Sequence, residues 1–199
     1  MAEQSPQPVY FSKEEVETAD SITVGLHTLR KYNLAVHPRP PLIRMFNQRE
    51  MGPFSNDNFT FETELRNPFQ EGSNTCQFIQ VLIQCKDDVM IIPIASKACV
   101  GELFLYAYGY GVDSKHGDLS GFGCDPAEWV KLRVETRDKH MKFFVNSNKA
   151  YELDFPNDVT EIVGVQFRFN GPASVRGTKF ESPDSTYTLM PSYAVTPIQ

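Results

Sequence analysis

The chain has 199 residues, and its 19 basic and 25 acidic side chains give a formal net charge of −6. That acidic balance argues against a nucleic-acid partner, because backbone binding requires a basic surface that displaces counterions. Hydrophobic residues make up 41% and charged residues 22%, which excludes disorder of the whole chain. No apolar run approaches the roughly 18 residues of a membrane helix, so we expect no membrane contact by this segment itself. The 15 Phe, 8 Tyr, 14 Pro and 12 Gly favour strands and turns.

The first 55 residues carry mixed signals. The start of the chain has neither a basic nor an apolar stretch of the kind found in secretory signals, which indicates a cytoplasmic protein or a piece of a longer chain. Ser12-Lys13-Glu14-Glu15 has the spacing of a capping box, and the proline-rich stretch 37–41 interrupts any regular element. We therefore predict that residues 1–55 form a short irregular lead-in that packs on the rest of the protein without a core of its own.

From Phe59 onward apolar and polar residues alternate with a period close to two. This pattern predicts nine or ten short antiparallel strands over 56–182, arranged as a two-sheet sandwich with solvated outer faces. Residues 183–199 are expected to form an outer strand or a tail. The fold class predicted is therefore all-β. The core is predicted to contain Phe61, Val81, Ile83, Leu132, Val134, Phe143, Val145, Val165 and Phe167.

The cysteines bear on the compartment in which the protein works. Their spacings match no zinc-binding pattern, and four cysteines in an acidic β-rich chain favour disulfides. The alternative is four buried thiols in a reducing compartment. The four are Cys76, Cys85, Cys99 and Cys124.

A hairpin predicted from two apolar runs suggests how the cysteines pair. Residues 76–85 and 89–96 resemble two strands, and a two-residue turn at 87–88 places Cys76 opposite Cys99, within reach of a disulfide. Cys85 then has only Cys124 as a partner.

Several stretches resemble a known architecture. They are WVKLRVE (129–135), KFFVN (142–146), AYE (150–152), IVGVQFRF (162–169) and DNFTFETEL (57–65). Together they resemble the signature of concanavalin A-like jelly rolls, specifically laminin-G-like domains, over about 55–182. The resemblance is to such regions near the C-terminus of larger, membrane-anchored surface proteins of Bacteroidetes-type bacteria, where the domain faces outside the cytoplasm. It implies an extracytoplasmic jelly roll and is specific for architecture rather than activity.

Two carboxylates are weak catalytic candidates. Glu62 and Glu64 share one face of a strand at about 7 Å by strand rise, and paired carboxylates are the groups that hydrolyse glycosides. Some jelly-roll glycosidases carry an E-x-D-x-x-E strand, and here the central Asp and the third acid are absent. The simpler interpretation is the solvated face of a half-buried strand.

The stretch 106–118 is the most unusual in composition. Tyr106, Tyr108 and Tyr110 alternate with small residues, which predicts three rings on one strand face, where they either stack on sugars or seal the core. We predict ligand contacts at these tyrosines and in the loop through His116 and Asp118.

Calcium is the one cofactor that the resemblance suggests, since laminin-G-like domains often bind it at a sheet rim. Asp113, Asp118 and Asp125 are weak candidates, because no regular loop spacing supplies the six to eight oxygens that calcium prefers. They are equally well explained as polar loop residues.

Three functions remain open at this point. The first is a non-catalytic recognition domain that binds carbohydrate or a protein partner, and it is favoured because the carboxylate set is incomplete. The second is a glycoside hydrolase-like jelly roll that uses Glu62 and Glu64. The third is a structural spacer domain of a surface protein.

Overall fold

The structure is a computed structural model that describes residues 9–34, 40–47, 51, 54, 58–68, 76, 78–158, 161–189 and 193–198. These ranges contain two short α-helices, α1 (Lys13–Val16) and α2 (Leu26–Lys31), and two 3-10 helices at Lys97–Glu102 and Ser120–Phe122. The strands within them are β1 (Ser21–Val24), β2 (Leu42–Asn47), β3 (Asn58–Arg66), β4 (Phe78–Cys85), β5 (Val89–Ser96), β6 (Phe104–Ala107), β7 (Tyr110–Asp113), β8 (Gly123–Cys124), β9 (Val130–Arg137), β10 (His140–Val145), β11 (Asn148–Asp154), β12 (Ile162–Asn170), β13 (Ala173–Ser182), β14 (Ser185–Thr188) and β15 (Tyr193–Ile198).

The strands form two sheets. Sheet one has the order β1-β13-β3-β9-β10-β11, with β14 also paired to β13. Sheet two has the order β15-β2-β12-β4-β5-β6-β7, with β8 paired to β5. The pairing of β5 with β8 is parallel, and the other pairings between the described strands are antiparallel. The predicted all-β jelly-roll sandwich is thus confirmed.

One hydrophobic core lies between the sheets. Alternating residues of the long strands point inward, so that their apolar side chains are removed from water while their neighbours face out. The nine predicted core residues are all buried, which confirms that part of the sequence analysis. They are Phe61, Val81, Ile83, Leu132, Val134, Phe143, Val145, Val165 and Phe167.

The sheets extend into the first 55 residues. Strand β1 pairs with β13 in sheet one and buries Ile22 and Val24, while β2 pairs with β12 in sheet two and buries Ile43 and Met45. At the other end of the chain, β14 joins sheet one and β15 joins sheet two. The predicted boundary at residue 55 therefore does not coincide with an edge of the sandwich.

A disulfide joins Cys76 to Cys99, with their Cα atoms 5.7 Å apart. The pairing is as expected, but the register behind the expectation is wrong. Val81 lies opposite Ile92, so the β4–β5 turn sits at 86–87, one residue earlier than predicted. Cys99 reaches Cys76 because the 3-10 helix after β5 turns the chain back toward the start of β4.

The expected second bridge is wrong: Cys85 and Cys124 are both buried thiols. Cys85 ends β4 at the hairpin turn, and its Sγ lies 3.1 Å from the Tyr108 hydroxyl oxygen. Burial raises the pKa of the Cys124 thiol to about 11, with a smaller contribution from the charge of Asp125. A thiol in that state is protonated and unreactive at neutral pH. Of the helices in the described ranges, none is both long and apolar enough to cross a membrane.

Candidate functional site on the outer face of sheet two

The predicted tyrosine platform is not formed. Tyr108 and Gly109 are the two central residues of the β6–β7 hairpin turn, with φ of 44° and 86°, which is the backbone that such turns require. Tyr106 therefore ends one strand and lies opposite Gly111, whereas Tyr110 begins the next strand. The expectation of three rings on one strand face is wrong because the alternation is interrupted by the turn.

Two of the three tyrosine side chains make contacts inside the protein. The Tyr108 side chain is 1% exposed and packs edge-on against the Phe155 ring, with centroids 4.9 Å apart. The Tyr110 hydroxyl lies 3.0 Å from that of Tyr151, and this hydrogen bond, together with burial, raises the pKa of Tyr151 to about 12. Of the three, Tyr106 is the one whose ring lies on the outer face of sheet two.

The acidic loop residues stabilise turns. The Asp113 carboxylate accepts hydrogen bonds from the backbone N–H of Lys115 and His116 and contacts the His116 ring. The Asp118 and Asp125 carboxylates each accept a backbone N–H two residues further on. No group of three or more His, Cys, Asp or Glu side chains in the described ranges is arranged to hold a metal ion. Calcium binding at these aspartates stays a prediction.

Glu62 and Glu64 form ion pairs on the outer face of sheet one. Glu62 contacts Lys131 at 3.1 Å and Lys179 at 3.2 Å, and Glu64 pairs with Arg176. Burial acts to raise the pKa of the Glu62 carboxyl, but hydrogen bonds from the two lysines outweigh it and hold the pKa below its usual value. A glycosidase needs one carboxylic acid with a raised pKa, so this arrangement is unlike that of a catalytic pair.

The open cavity beside these glutamates measures about 380 Å³ and is lined by charged groups of both signs. Its wall includes Lys131 and Arg176 as well as Glu62, Glu64 and Asp20. The guanidinium of Arg176 also lies over the ring of Trp129, 4.0 Å from its centroid. The single tryptophan of the chain is therefore covered on that side by a cation.

The outer face of sheet two has a different character. Its side chains are those that alternate with the core residues of β15, β2, β12, β4, β5 and β6, and they form rows across the strands. One row is polar and cationic: Thr196, Arg44, Arg168, Gln80 and Pro93. The next row is mostly apolar: Phe46, Gln166, Leu82, Ile91 and Tyr106.

A cavity of about 270 Å³ opens on this face where β6 separates from β5. Phe78, Gln80 and Pro93 line it from the middle strands, Arg168 from β12 and Phe104 from β6. The Phe104 side chain is 45% exposed, which is unusual for a large apolar residue. This cavity combines an exposed ring, apolar walls and hydrogen-bonding groups, as ligand sites do.

An aromatic pair forms the rim of the cavity. The rings of Phe104 and Tyr106 are stacked, with centroids 6.5 Å apart and an angle of 20° between their planes. Both rings lie next to Gly111 on β7, where a Cβ atom would come within 3.5–3.6 Å of them. The backbone N–H of Gly109 donates to the Tyr106 hydroxyl at 3.2 Å, which holds the second ring in place.

Of the predicted ligand contacts, Tyr106 lies on this face, and the rest of the face was not predicted from the sequence. The available signal was the composition of β4 and β5, where Phe78, Leu82, Ile91 and Pro93 occupy positions that should face water. Leu82 is only 5% exposed although it lies outside the core, between Gln166 and Ile91. Two strands that are apolar on both faces indicate a second partly buried surface.

Comparison with known proteins gives structural likenesses only. No protein-family model matches the chain, and no curated protein matches it. The carbohydrate-binding module CBM66 from Bacillus subtilis is similar at 12% identity, with 64% of this chain and 77% of that one covered and a TM-score of 0.46. Sheep galectin-11, in complex with glycerol, is similar at 10% identity, with 72% and 98% covered and a TM-score of 0.48.

A third likeness is to a putative glycosyl hydrolase from Parabacteroides distasonis, at 14% identity, with 87% of this chain and 93% of that one covered and a TM-score of 0.47. Likenesses of this size carry no information about the ligand or activity of this chain.

Proposed function

We propose that this chain is a non-catalytic recognition domain that binds carbohydrate on the outer face of sheet two. The observation that carries the proposal is the exposed Phe104 ring, stacked on Tyr106, at the rim of a cavity that also presents Gln80 and Arg168. Sugar rings offer apolar C–H faces and a rim of hydroxyls. A flat ring next to amide and guanidinium donors matches both features.

The small number of exposed large apolar side chains in the described ranges adds support. Among the described residues, the exposed large hydrophobic side chains are Tyr10, Leu26 and Phe104, and Tyr10 and Leu26 belong to the N-terminal segment. Phe104 is the member of this set that adjoins a cavity. An exposed aromatic beside a cavity marks an interaction site more often than an isolated one does.

The proposal does not include catalysis. The two carboxylates that could act as an acid–base pair lie on the other sheet, and both are held by cations. Glu102 is the one acidic residue among the described residues that line the cavity of sheet two. Glycoside hydrolysis requires two carboxyl groups flanking the scissile bond.

We further propose that the domain works outside the cytoplasm. The Cys76–Cys99 bridge supports this location, because disulfides persist in oxidising compartments and are rare in reducing ones. A carbohydrate ligand fits the same setting.

A glycan array followed by affinity measurements on the best binder tests the function. Phe104→Ala should weaken binding by about fivefold to tenfold, since a stacked ring contributes about 1 kcal/mol beyond its area. The matched control is Phe144→Ala, which removes a half-buried ring from the outer face of sheet one, where it lies 4.3 Å from the Arg133 guanidinium. The reducing-end content of the bound glycans should stay constant over time.

An equal loss of glycan affinity in Phe104→Ala and Phe144→Ala would argue against the proposal. Release of reducing ends would also argue against it. If no glycan on the array binds, a structural spacer domain is the better description of this chain.

A further inference from the structure

We infer that the saccharide bound on the outer face of sheet two carries a negatively charged group, a uronic carboxylate or a sulfate ester, held by Arg44 and Arg168. This inference rests on the proposed function and specifies its ligand class. Its basis is a pair of adjacent arginines whose charges are not balanced within the described part of the protein.

The two guanidinium groups are brought together by strand pairing. Arg44 on β2 and Arg168 on β12 are direct cross-strand partners, so their Cβ atoms are about 4.5–5.5 Å apart on the same face. Like charges in this position repel and destabilise a sheet. A protein that keeps two cations there has either an internal counter-charge or an external one.

No internal counter-charge is present among the described residues. The ion pairs of those residues include neither Arg44 nor Arg168. Glu102 lines the same cavity as Arg168, yet it forms no ion pair with it. In sheet one an arginine on the outer face does have an internal counter-charge. Arg176 on β13 lies directly opposite Glu64 on β3 and forms an ion pair with it.

Arg168 is held in a fixed orientation that leaves its terminal nitrogens available. Its Nε donates a 2.7 Å hydrogen bond to the Gln166 side-chain oxygen, and the hydrogen bonds of the described residues use neither terminal nitrogen. Burial, and then the charge of Arg44, lower the pKa of the Arg168 guanidinium from its ordinary value. The charge of an anion would offset both effects, and two terminal N–H groups match a carboxylate or sulfate in bidentate fashion.

Unpartnered buried polar atoms lie in the same row. The Arg44 Nε and the Thr196 hydroxyl are both buried without a hydrogen-bond partner, and Thr196 as a whole is only 9% exposed. Thr196 lies directly opposite Arg44 on β15. Buried polar groups of this kind are costly, so the hydrogen bonding of this row is incomplete within the described part of the protein.

The charge of the rest of the molecule makes the site specific. With a net charge of −6, the protein as a whole repels polyanions, so any affinity for an acidic glycan requires a local cationic site. The site therefore combines a cationic pair, Arg44 and Arg168, with the exposed apolar ring of Phe104.

The test compares neutral, uronic-acid and sulfated oligosaccharide panels on an array. Titration calorimetry then measures the strongest acidic binder beside its methyl-esterified or desulfated form. Arg168→Gln and Arg44→Gln should each weaken the acidic ligand about tenfold to a hundredfold, and the loss for the neutralised ligand should be clearly smaller. Arg168→Lys keeps the charge but loses the planar guanidinium group with its paired donors. Its affinity for the acidic ligand should therefore lie between that of Arg168→Gln and that of the unmodified protein. Raising the salt concentration should weaken binding of the acidic form.

Arg133→Gln is the matched control, because it removes one guanidinium from the outer face of sheet one. If it weakens acidic ligands as much as Arg168→Gln does, the binding is general electrostatics and the inference is overturned. If only neutral glycans bind, and Phe104→Ala weakens them, the inference fails while the proposed function stands. If no oligosaccharide of any panel binds, the inference and the proposed function both fail.

The array also identifies the anionic group. Binding of uronic-acid oligosaccharides without sulfated ones indicates a carboxylate, and the reverse indicates a sulfate ester. Should Arg44→Gln not fold, the two Arg168 variants decide the question alone.

Discussion

The ring of Tyr108 packs edge-on against the ring of Phe155, with centroids 4.9 Å apart and planes at 62°. Tyr108 lies in the β6–β7 turn of sheet two, and Phe155 directly follows β11 of sheet one. This contact therefore joins the ends of the two sheets. It also explains how a tyrosine is kept in the left-handed region, which is rare for a bulky residue: burial of the ring outweighs the backbone strain.

Replacing Tyr108 by Ala should destabilise the protein by about 3–5 kcal/mol, as truncation of a buried aromatic does. Chemical denaturation measures the change. Tyr108→Phe keeps the ring and removes only the hydroxyl near Cys85, so it should cost about 1 kcal/mol. A change below about 0.5 kcal/mol for Tyr108→Ala would mean that the side chain is displayed at the surface rather than buried.

Removal of the Cys76–Cys99 bridge should lower the free energy of unfolding by about 3 kcal/mol, since it closes a loop with a sequence separation of 23. The measurement is thermal unfolding with and without a reducing agent. The Cys76→Ser/Cys99→Ser double variant is the control, because its melting temperature should no longer respond to the reductant. An unchanged melting temperature of the unmodified protein after complete reduction would contradict the prediction.

The ion pairs of Glu62 should make stability depend on pH. The pKa of this carboxyl is held below its ordinary value of 4.5. The stabilisation is therefore complete above that ordinary value and is lost as the pH falls through the lowered folded-state pKa. Glu62→Gln should destabilise the protein at pH 7, and the difference from the unmodified protein should shrink below about pH 4.5.

Glu181→Gln provides the comparison for Glu62→Gln. Glu181 contacts the same Lys179 but is far more exposed, with 43% of its side chain accessible against 18% for Glu62. An exposed pair is worth about 0–1 kcal/mol, so the Glu181 change should be small at every pH. If the difference in free energy of unfolding between Glu62→Gln and the unmodified protein grew toward low pH, the prediction would be contradicted.

The fold was predictable from the sequence because it depends on local alternation. Phe61, Val134 and Phe167 each sit in a run of period two, and each is buried. The tyrosine stretch failed for the same local reason. Tyr106 and Tyr110 lie an even number of positions apart, as two residues on one strand face would. However, a hairpin turn at Gly109 reverses the chain between them. That glycine was the available signal, because two-residue hairpin turns favour glycine at their second position.

The candidate site was not predictable, because it depends on which strands are neighbours. Arg44 and Arg168 are far apart in the sequence and meet only through the pairing of β2 with β12. Either arginine alone looks like an ordinary solvated residue of an alternating strand. The Cys76–Cys99 bridge shows the intermediate case. The hairpin was predicted, but the exact turn and the 3-10 helix that brings Cys99 back were not.

Chemical-shift mapping by NMR tests the central claim most directly. The uniformly labelled protein is titrated with the glycan that binds best on the array. We predict that the perturbed amides cluster on the outer face of sheet two, around Phe78, Gln80, Phe104 and Arg168. Perturbations centred instead on the loop through His116 and Asp118, or on the strands around Glu62, would contradict the account, as would the failure of every glycan to shift any resonance.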